Sequence, residues 1–327
     1  MRKGLASLAA VVVIVSVVYL GGYVYDAYFV APGPAAQETV LVIEPGDSVS
    51  EIARALEDGG VIKSALPFKL YVKWSGHSGD LQAGSFDLKT GMSYAAIVDA
   101  ITSGGAEEVQ VTIPEGYTLK QIGETVRAAI PSISEEEWDA AVGAGSPLAS
   151  DPFIVAAGKP DSVDLEGYLF PDTYRFFSDA SSEDVVKKMI GTMQEKAPGI
   201  THDQLTLASI VEREVQDPED MKEVADIFLK RLDAGMALQA DSTLSYITGQ
   251  ESAEMTTEDL QYDTPYNTYK YPGLPPGPIS NPGMNAIDAV LHPTANDWYY
   301  FLTTPEGDVV YARTFEEHVA NKNRYLR

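Results

Sequence analysis

The stretch Leu207–Val215, LASIVEREV, constrains the fold more than any other part of the chain. Projected as a helix at about 100° per residue, Leu205, Ala208, Ser209 and Glu212 fall on one side, and Leu207, Ile210 and Glu214 on the other. A helix with apolar residues nearly all round has no face to give to water, so a domain has to be built around it. Two glutamates sit in it. Burial penalises a charged carboxylate and raises its pKa, and a carboxyl that keeps its proton near neutral pH suits general-acid chemistry. The pattern alone leaves a second reading open: either glutamate reaches a groove or pairs with an arginine, since buried ion pairs also perturb pKa values.

The length, 327 residues, allows two or three domains at roughly 100–200 residues each. A 45% hydrophobic fraction supports a sizeable core. The net charge of −25 argues against nucleic acid as a partner and against docking on anionic lipid. There is no cysteine, which removes thiolate nucleophiles and zinc–thiolate sites. His77, His202, His292 and His318 lie far apart and no HExxH occurs, so neither a metal nor another cofactor is expected. No G-x-S-x-G elbow, P-loop or dinucleotide fingerprint is present.

Residues 4–25 carry no charge, and about 20 apolar residues are enough to span a bilayer. Arg2 and Lys3 precede the run and Asp26 follows it, so the N-terminus is expected in the cytoplasm and the bulk of the chain outside. A single-pass anchor in the cell membrane is preferred over a cleaved signal peptide, because the run is long and no close A-x-A site follows it. Residues 1–3 are then a cytoplasmic tail. Residues 26–37 are a linker, Pro/Ala-rich from Ala31 to Gln37.

An internal repeat follows. Val42–Leu56 aligns with Thr112–Val126, matching Ile43, Gly46, Ser48 and Ile52 with Ile113, Gly116, Thr118 and Ile122. Gly91, Ser93 and Ile97 repeat the spacing between them. The pattern predicts a strand, a tight turn at glycine, a Ser/Thr N-cap and an amphipathic helix. Further on, Ser132 is expected to cap a helix with Glu135, Glu136 and Glu137 in its first turn and Trp138 and Val142 facing inward. LEGYLFPDTYRF, Leu165–Phe176, reads either as a half-buried strand or as aromatic faces with Glu166 and Asp172 beside a sugar. Helices are expected after Ser181 and after Asp217-Pro218, the second with Asp at the N-cap and Pro at the first position. Gln239, Asp241, Ser242 and Thr243 are placed on a turn before Leu244 and Tyr246. Thr264–Gly283 has almost no room for helix, and its prolines make a rigid wall carrying Tyr266, Asn267, Tyr269 and Tyr271. A short helix over Ala286–Leu291, two strands over Trp298–Thr304 and Asp308–Arg313, and a terminal helix from Phe315 complete the chain.

Two resemblances attach to these motifs. EPGDSVSEIA, from Glu44 to Ala53, resembles the LysM family of small modules that bind N-acetylglucosamine-containing glycans. LASIVEREV, LQADSTLSY, YNTYKYPGLPPGPISNPG, EGYLFPDTY and His292-Pro293 followed by YYFL, with the N-terminal anchor, closely resemble the YceG-like family of endolytic murein transglycosylases. That resemblance covers nearly everything beyond residue 40. It implies an α+β protein: a single transmembrane helix, a LysM-like α/β module at residues 38–108, and a mixed α+β catalytic domain at residues 109–327. It implies cleavage of the β-1,4 bond between N-acetylmuramic acid and N-acetylglucosamine in nascent peptidoglycan strands, leaving 1,6-anhydro ends and ending elongation. Wall-synthesis enzymes are the protein partners such a role implies. The family's catalytic glutamate falls on Glu212, with Glu214 in support. We assign Gln239, Asp241, Asn267 and Tyr269 to orienting the sugars or Glu212. Ser242 stands where the family commonly has proline.

A binding scaffold and a water-using muramidase, with Asp241 as its second carboxylate, are the alternatives. One acid/base suffices when the substrate's own 6-hydroxyl is the nucleophile, whereas glycosidases ordinarily use two carboxyls.

Overall fold

Three strand–glycine–cap–helix units recur, as the repeat predicts. The first runs from strand β1 (Glu38–Ile43) through Gly46, at φ 99°, to helix α1 (Val49–Asp58), capped by the Ser48 side chain. Helix α2 (Ala65–Ser75) then leads to strand β2 (Gly84–Lys89). The second unit passes from β2 through Gly91, at φ 79°, to helix α3 (Tyr94–Thr102), capped by Ser93. The third passes from strand β3 (Glu108–Thr112) through Gly116, at φ 74°, to helix α4 (Leu119–Ala129), capped by Thr118. Each glycine supplies the left-handed backbone that a side chain would strain, and each hydroxyl satisfies an amide that the helix start leaves open.

The computed structural model describes residues 15–22, 38–44, 46–104, 108–249 and 259–326. Residues 15–22 are helical. The rest of the expected anchor, residues 4–14 and 23–25, lies outside the described residues, as does the whole linker, residues 26–37. Among the described residues no helix is long and apolar enough to cross a membrane.

Contacts divide the chain into two compact units, Met1–Val109 with Phe177–Asp179, and Gln110–Phe176 with Ala180–Arg327. In the first, β1 and β2 pair antiparallel from Glu38 opposite Lys89 to Ile43 opposite Gly84. Leu41 and Ile43 point inward and Val40 and Val42 outward, the alternation a strand imposes. Ile52 and Leu56 of α1, Phe68 and Val72 of α2, and Ile97 and Ile101 of α3 close the core with Phe86 and Leu88.

The second unit is mixed α and β. Strand β3 pairs with β4 (Thr173–Phe177). Helix α5 (Glu135–Val142) buries Trp138 and Val142, and the Trp138 indole donates to the Leu119 carbonyl at 3.0 Å. Its N-cap is Ser134 rather than Ser132: with Glu137 three residues on, Ser134 forms a reciprocal capping box. A short helix, α6 (Pro152–Ala157), precedes the Leu165–Phe176 stretch. There the aromatics are core: Tyr168, Phe170 and Tyr174 are buried, which removes the sugar-stacking reading of these rings. Helix α7 (Ser182–Lys196) buries Val185, Met189 and Met193.

Helix α8 (His202–Glu214) is the axis of this unit, and every residue from Leu205 to Val211 is buried. Three helices pack on it: α9 (Pro218–Asp233), α10 (Asp241–Thr248) and α11 (Met284–Leu291). Asp241, Ser242 and Thr243 therefore lie in the first turn of a helix, not on a free turn. Helix α9 starts at Asp217 as predicted, the carboxylate accepting from the Glu219 and Asp220 amides. A terminal hairpin of β5 (Tyr300–Thr303) and β6 (Val309–Ala312) pairs Tyr300 with Ala312, and helix α12 (Phe315–Tyr325) ends the chain.

Candidate active site

Residues 264–283 contain no regular element, and their last third is strapped along α8. The Ile279 amide donates to Ser209 Oγ at 3.0 Å, and Ser280 Oγ donates to the Ser209 carbonyl at 3.2 Å. One turn further on, the Gly283 amide donates to Glu212 Oε2 at 3.0 Å. Ser209 and Glu212 share a side of the helix, so one helical stripe holds the strap at successive points.

Asn281 fixes the strap from its other side. Its Oδ1 accepts from the Leu169 amide at 2.9 Å, and its Nδ2 donates to the Tyr117 carbonyl and to Glu166 Oε1, at 3.0 and 2.7 Å. Its backbone exchanges further bonds with Gly116 and Tyr117. The loop before α4 and the strap thus meet beside Glu212. Both bring glycine there. A Cβ on Gly116 would stand 3.5 Å from Glu212 Cγ and 4.0 Å from its Oε1. A Cβ on Gly283 would overlap the side chain of Glu115. Glycine at 116 leaves the Glu212 side chain open on that side, and glycine at 283 makes room for the Glu115 side chain.

Burial is the main force on Glu212 and raises its pKa above the usual carboxylate value. The Gly283 amide opposes the rise, the charge of Glu115 adds to it, and Arg213 opposes it. The result is a carboxyl biased toward its protonated form with one oxygen held in place.

Glu214 is separated from this arrangement by its own partners. Ser242 donates to its Oε1 from both the hydroxyl, at 2.7 Å, and the amide, at 3.2 Å. Its pKa is also raised, by burial first, with the Ser242 bonds opposing and the charge of Asp241 adding. Asp241 accepts from the Tyr269 hydroxyl at 2.5 Å. Glu214, Asp241 and Tyr269 therefore form one polar cluster at the start of α10, and Tyr269 is held there by its hydroxyl.

The remaining sequence-assigned residues part company with this cluster. Gln239 is exposed, in the left-handed region at φ 54°, with its amide donating to the Thr268 carbonyl. Asn267 is 0% exposed. Its Nδ2 donates to the Leu260 and Tyr262 carbonyls and its Oδ1 accepts from the Tyr269 and Lys270 amides. That side chain shapes the loop and has no surface to offer a sugar. Of the expected tyrosine wall, Tyr271 is exposed and its hydroxyl donates to Asp263 at 2.6 Å.

Glu166 is the residue whose place the sequence did not disclose. It is 3% exposed, with both carboxyl oxygens 3.1 Å from the Leu119 amide, Asn281 Nδ2 on one and the Tyr246 hydroxyl at 3.4 Å on the other. Burial pushes its pKa up to about 8, against the pull of the Leu119 amide. Its neighbours in sequence are aromatic, while its partners lie 47, 80 and 115 residues away, beyond the reach of any local pattern.

An open cleft of about 940 Å³ adjoins these groups, lined among others by Lys120, Asp164, Glu166, Arg213, Ser242 and Tyr246. Glu212 stands at its margin, not in its lining, with Gly116 close to both Glu212 and the lining Arg213. Among the described residues no group of His, Asp and Glu is placed to hold a metal ion. The arrangement offers a proton donor beside a polar groove.

Known proteins were compared on this basis. The model of the YceG-like family matches residues 41–324. The endolytic murein transglycosylase of Bacillus subtilis (strain 168) is 37% identical over 333 residues, covering 94% of this chain and 90% of that protein. The endolytic murein transglycosylase of Streptococcus pneumoniae serotype 2 is 32% identical over 336 residues; 91% of this chain corresponds to 60% of that longer protein. The 2.6 Å crystal structure of a yceG-like protein of Listeria monocytogenes superposes with a TM-score of 0.59 at 34% identity, over 88% of this chain and 100% of that one.

Proposed function

Because the chain belongs to the YceG-like family, we propose that Glu212 is the single acid/base of its reaction. The protein is a lytic transglycosylase acting on peptidoglycan. In our reading it cuts the β-1,4 bond between N-acetylmuramic acid and N-acetylglucosamine within a strand. Glu212 gives its proton to the glycosidic oxygen as the bond from C1 breaks. The muramoyl 6-hydroxyl closes on C1, and its proton passes to the Glu212 carboxylate. Atoms balance without water, the glutamate returns to its starting state, and the new end is a 1,6-anhydro ring.

The observation that carries this is the Glu212 carboxyl itself. It is biased toward protonation by burial, pinned at Oε2 by the Gly283 amide, and bare where Gly116 lacks a side chain. Glu214 and Asp241 are positioning residues in this reading, since their carboxylates are taken up by Ser242 and Tyr269. The first unit is read as a LysM-like module that holds glycan, and residues 4–25 as a single-pass anchor with the catalytic unit outside the membrane. In that setting the enzyme ends strand elongation beside the wall-synthesis enzymes.

The test is the chemistry of the ends. The full chain in detergent is incubated with uncrosslinked glycan strands, and the products are separated. Anhydro ends are expected, and Glu212→Gln is expected to abolish them while the circular-dichroism spectrum stays unchanged. Substantial cleavage by that variant rejects the assignment. One observation favours a water-using second reading: the Glu115 side chain lies against Gly283, whose amide holds Glu212, and its charge is felt there, so a second carboxyl is near the first. Reducing ends, lost in Glu115→Gln, would establish that reading instead.

A further inference from the structure

The overall charge of −25 opposes attraction to an anionic surface, but helix α2 reverses that balance locally. Its sequence, ALPFKLYVKWS, contains Lys69 and Lys73 and no acid, and Lys63 precedes it. One side buries Phe68 and Val72 in the core of the first unit. On the other, Leu66 is 64%, Leu70 60% and Trp74 77% exposed. These positions recur every four residues, so the three side chains form one stripe, and Lys73 falls beside it. Exposed apolar residues scattered singly need no explanation, but a contiguous stripe marks an interaction surface. A helix that is apolar on both faces is one with both faces covered.

The chemistry of the stripe selects its cover. Leucine and tryptophan beside lysine complement a surface that is apolar below and anionic at the rim; no acid lies within the helix, and the nearby Glu57 carboxylate is taken up by the Ala65 amide at its start. Tryptophan sits at membrane–water interfaces with its indole N–H toward the wet side, and lysine lays its stem on the apolar part while its ammonium reaches the headgroups. Proximity supplies the rest. Residues 26–37 are all that separate the uncharged run from β1, at most about 40 Å of extended chain. We propose that α2 lies on the outer face of the bilayer, with Leu66, Leu70 and Trp74 at the acyl boundary and Lys63, Lys69 and Lys73 on anionic lipid phosphates. The proposal rests on the anchored reading for its proximity only.

The test separates the two. The full chain is reconstituted in phosphatidylcholine vesicles with and without phosphatidylglycerol, using lipids brominated in the acyl chains. Flotation reports the anchor. Tryptophan quenching, taken as wild type minus Trp74→Phe, reports α2. Docking predicts a quenched Trp74 component, stronger with phosphatidylglycerol. Replacing the three lysines by glutamine should lower the docking equilibrium up to about a hundredfold, and Leu66→Ser with Leu70→Ser should remove the quenching. A chain that floats but whose quenching is the same in Trp74→Phe is anchored with α2 in water, which overturns the proposal and spares the anchor. A chain that does not float and shows no Trp74 quenching loses both. A Trp74 emission shift on adding soluble glycan strands, with no quenching on vesicles, makes the stripe a glycan site and also overturns the proposal. Cleavage of soluble strands in detergent should be the same for wild type and Trp74→Phe.

Discussion

Glu115 gives the sharpest test of how Glu212 is tuned. Its charge is one of the influences that raise the Glu212 pKa, so Glu115→Gln should lower that pKa and move the alkaline limb of the kcat profile to lower pH. An unmoved limb would exclude electrostatic contact between the two. Loss of Glu212 itself should cost about a hundred- to ten-thousand-fold in kcat, the usual worth of a positioned general acid. Glu166 makes a prediction about folding. Its pKa rises from 4.5 to about 8 on folding. The folded form therefore holds a proton that the unfolded chain has released, and this carboxyl's contribution to stability, complete below pH 4.5, is lost as pH climbs to about 8. Thermal melting across that window should show a falling midpoint, and Glu166→Gln should make the fall shallower. Sequence pattern was enough to single out Glu212 and Glu214, since both lie in one helix of short-range periodicity. It was not enough for Asn281 or Glu166, whose partners come from segments far apart in the chain.

Among the elements, the helix starts were the most legible. Ser48, Ser93 and Thr118 all cap as their local pattern requires, because a cap involves residues only two or three apart. The same local rule misplaces one cap: Ser132 and Ser134 each have a glutamate three residues on, Glu135 and Glu137, so spacing alone does not choose between them, and the box forms at Ser134. Helix α10 was missed because Gln239 and Asp241 read as turn-formers, while packing against α8 holds the segment helical. Ser242, in its first turn, stands where the resemblance leads one to expect proline, and it has a structural use. Proline has no amide proton and no hydroxyl, so it would supply neither of the two bonds that Ser242 gives Glu214. Ser242→Ala keeps the helix and removes one donor from a buried carboxyl. It should lower stability by about 1–3 kcal/mol in urea unfolding.

For the whole molecule, a strongly acidic chain folds into two compact units. Their separate cores agree with the mixed α and β composition expected from the repeat and the long C-terminal helices. If residues 4–25 anchor the chain as proposed, the enzyme works at a height set by its linker. Lengthening the Ala31–Gln37 segment with flexible residues should shift the length distribution of released glycan strands, measured by chromatography of the product. An unchanged distribution would show that the tether does not set the cut.

The Gly283 amide on Glu212 has one more consequence. A carboxyl with one oxygen permanently engaged is no longer symmetric, and its proton rides on the other oxygen. It can protonate a bridging oxygen from one direction only. A glycan strand has two chemically distinct ends, so if Glu212 is the acid proposed above, a strand is expected to bind in a single polarity. In the proposed mechanism, the Gly283 backbone hydrogen would thus fix the orientation in which a strand lies in the enzyme.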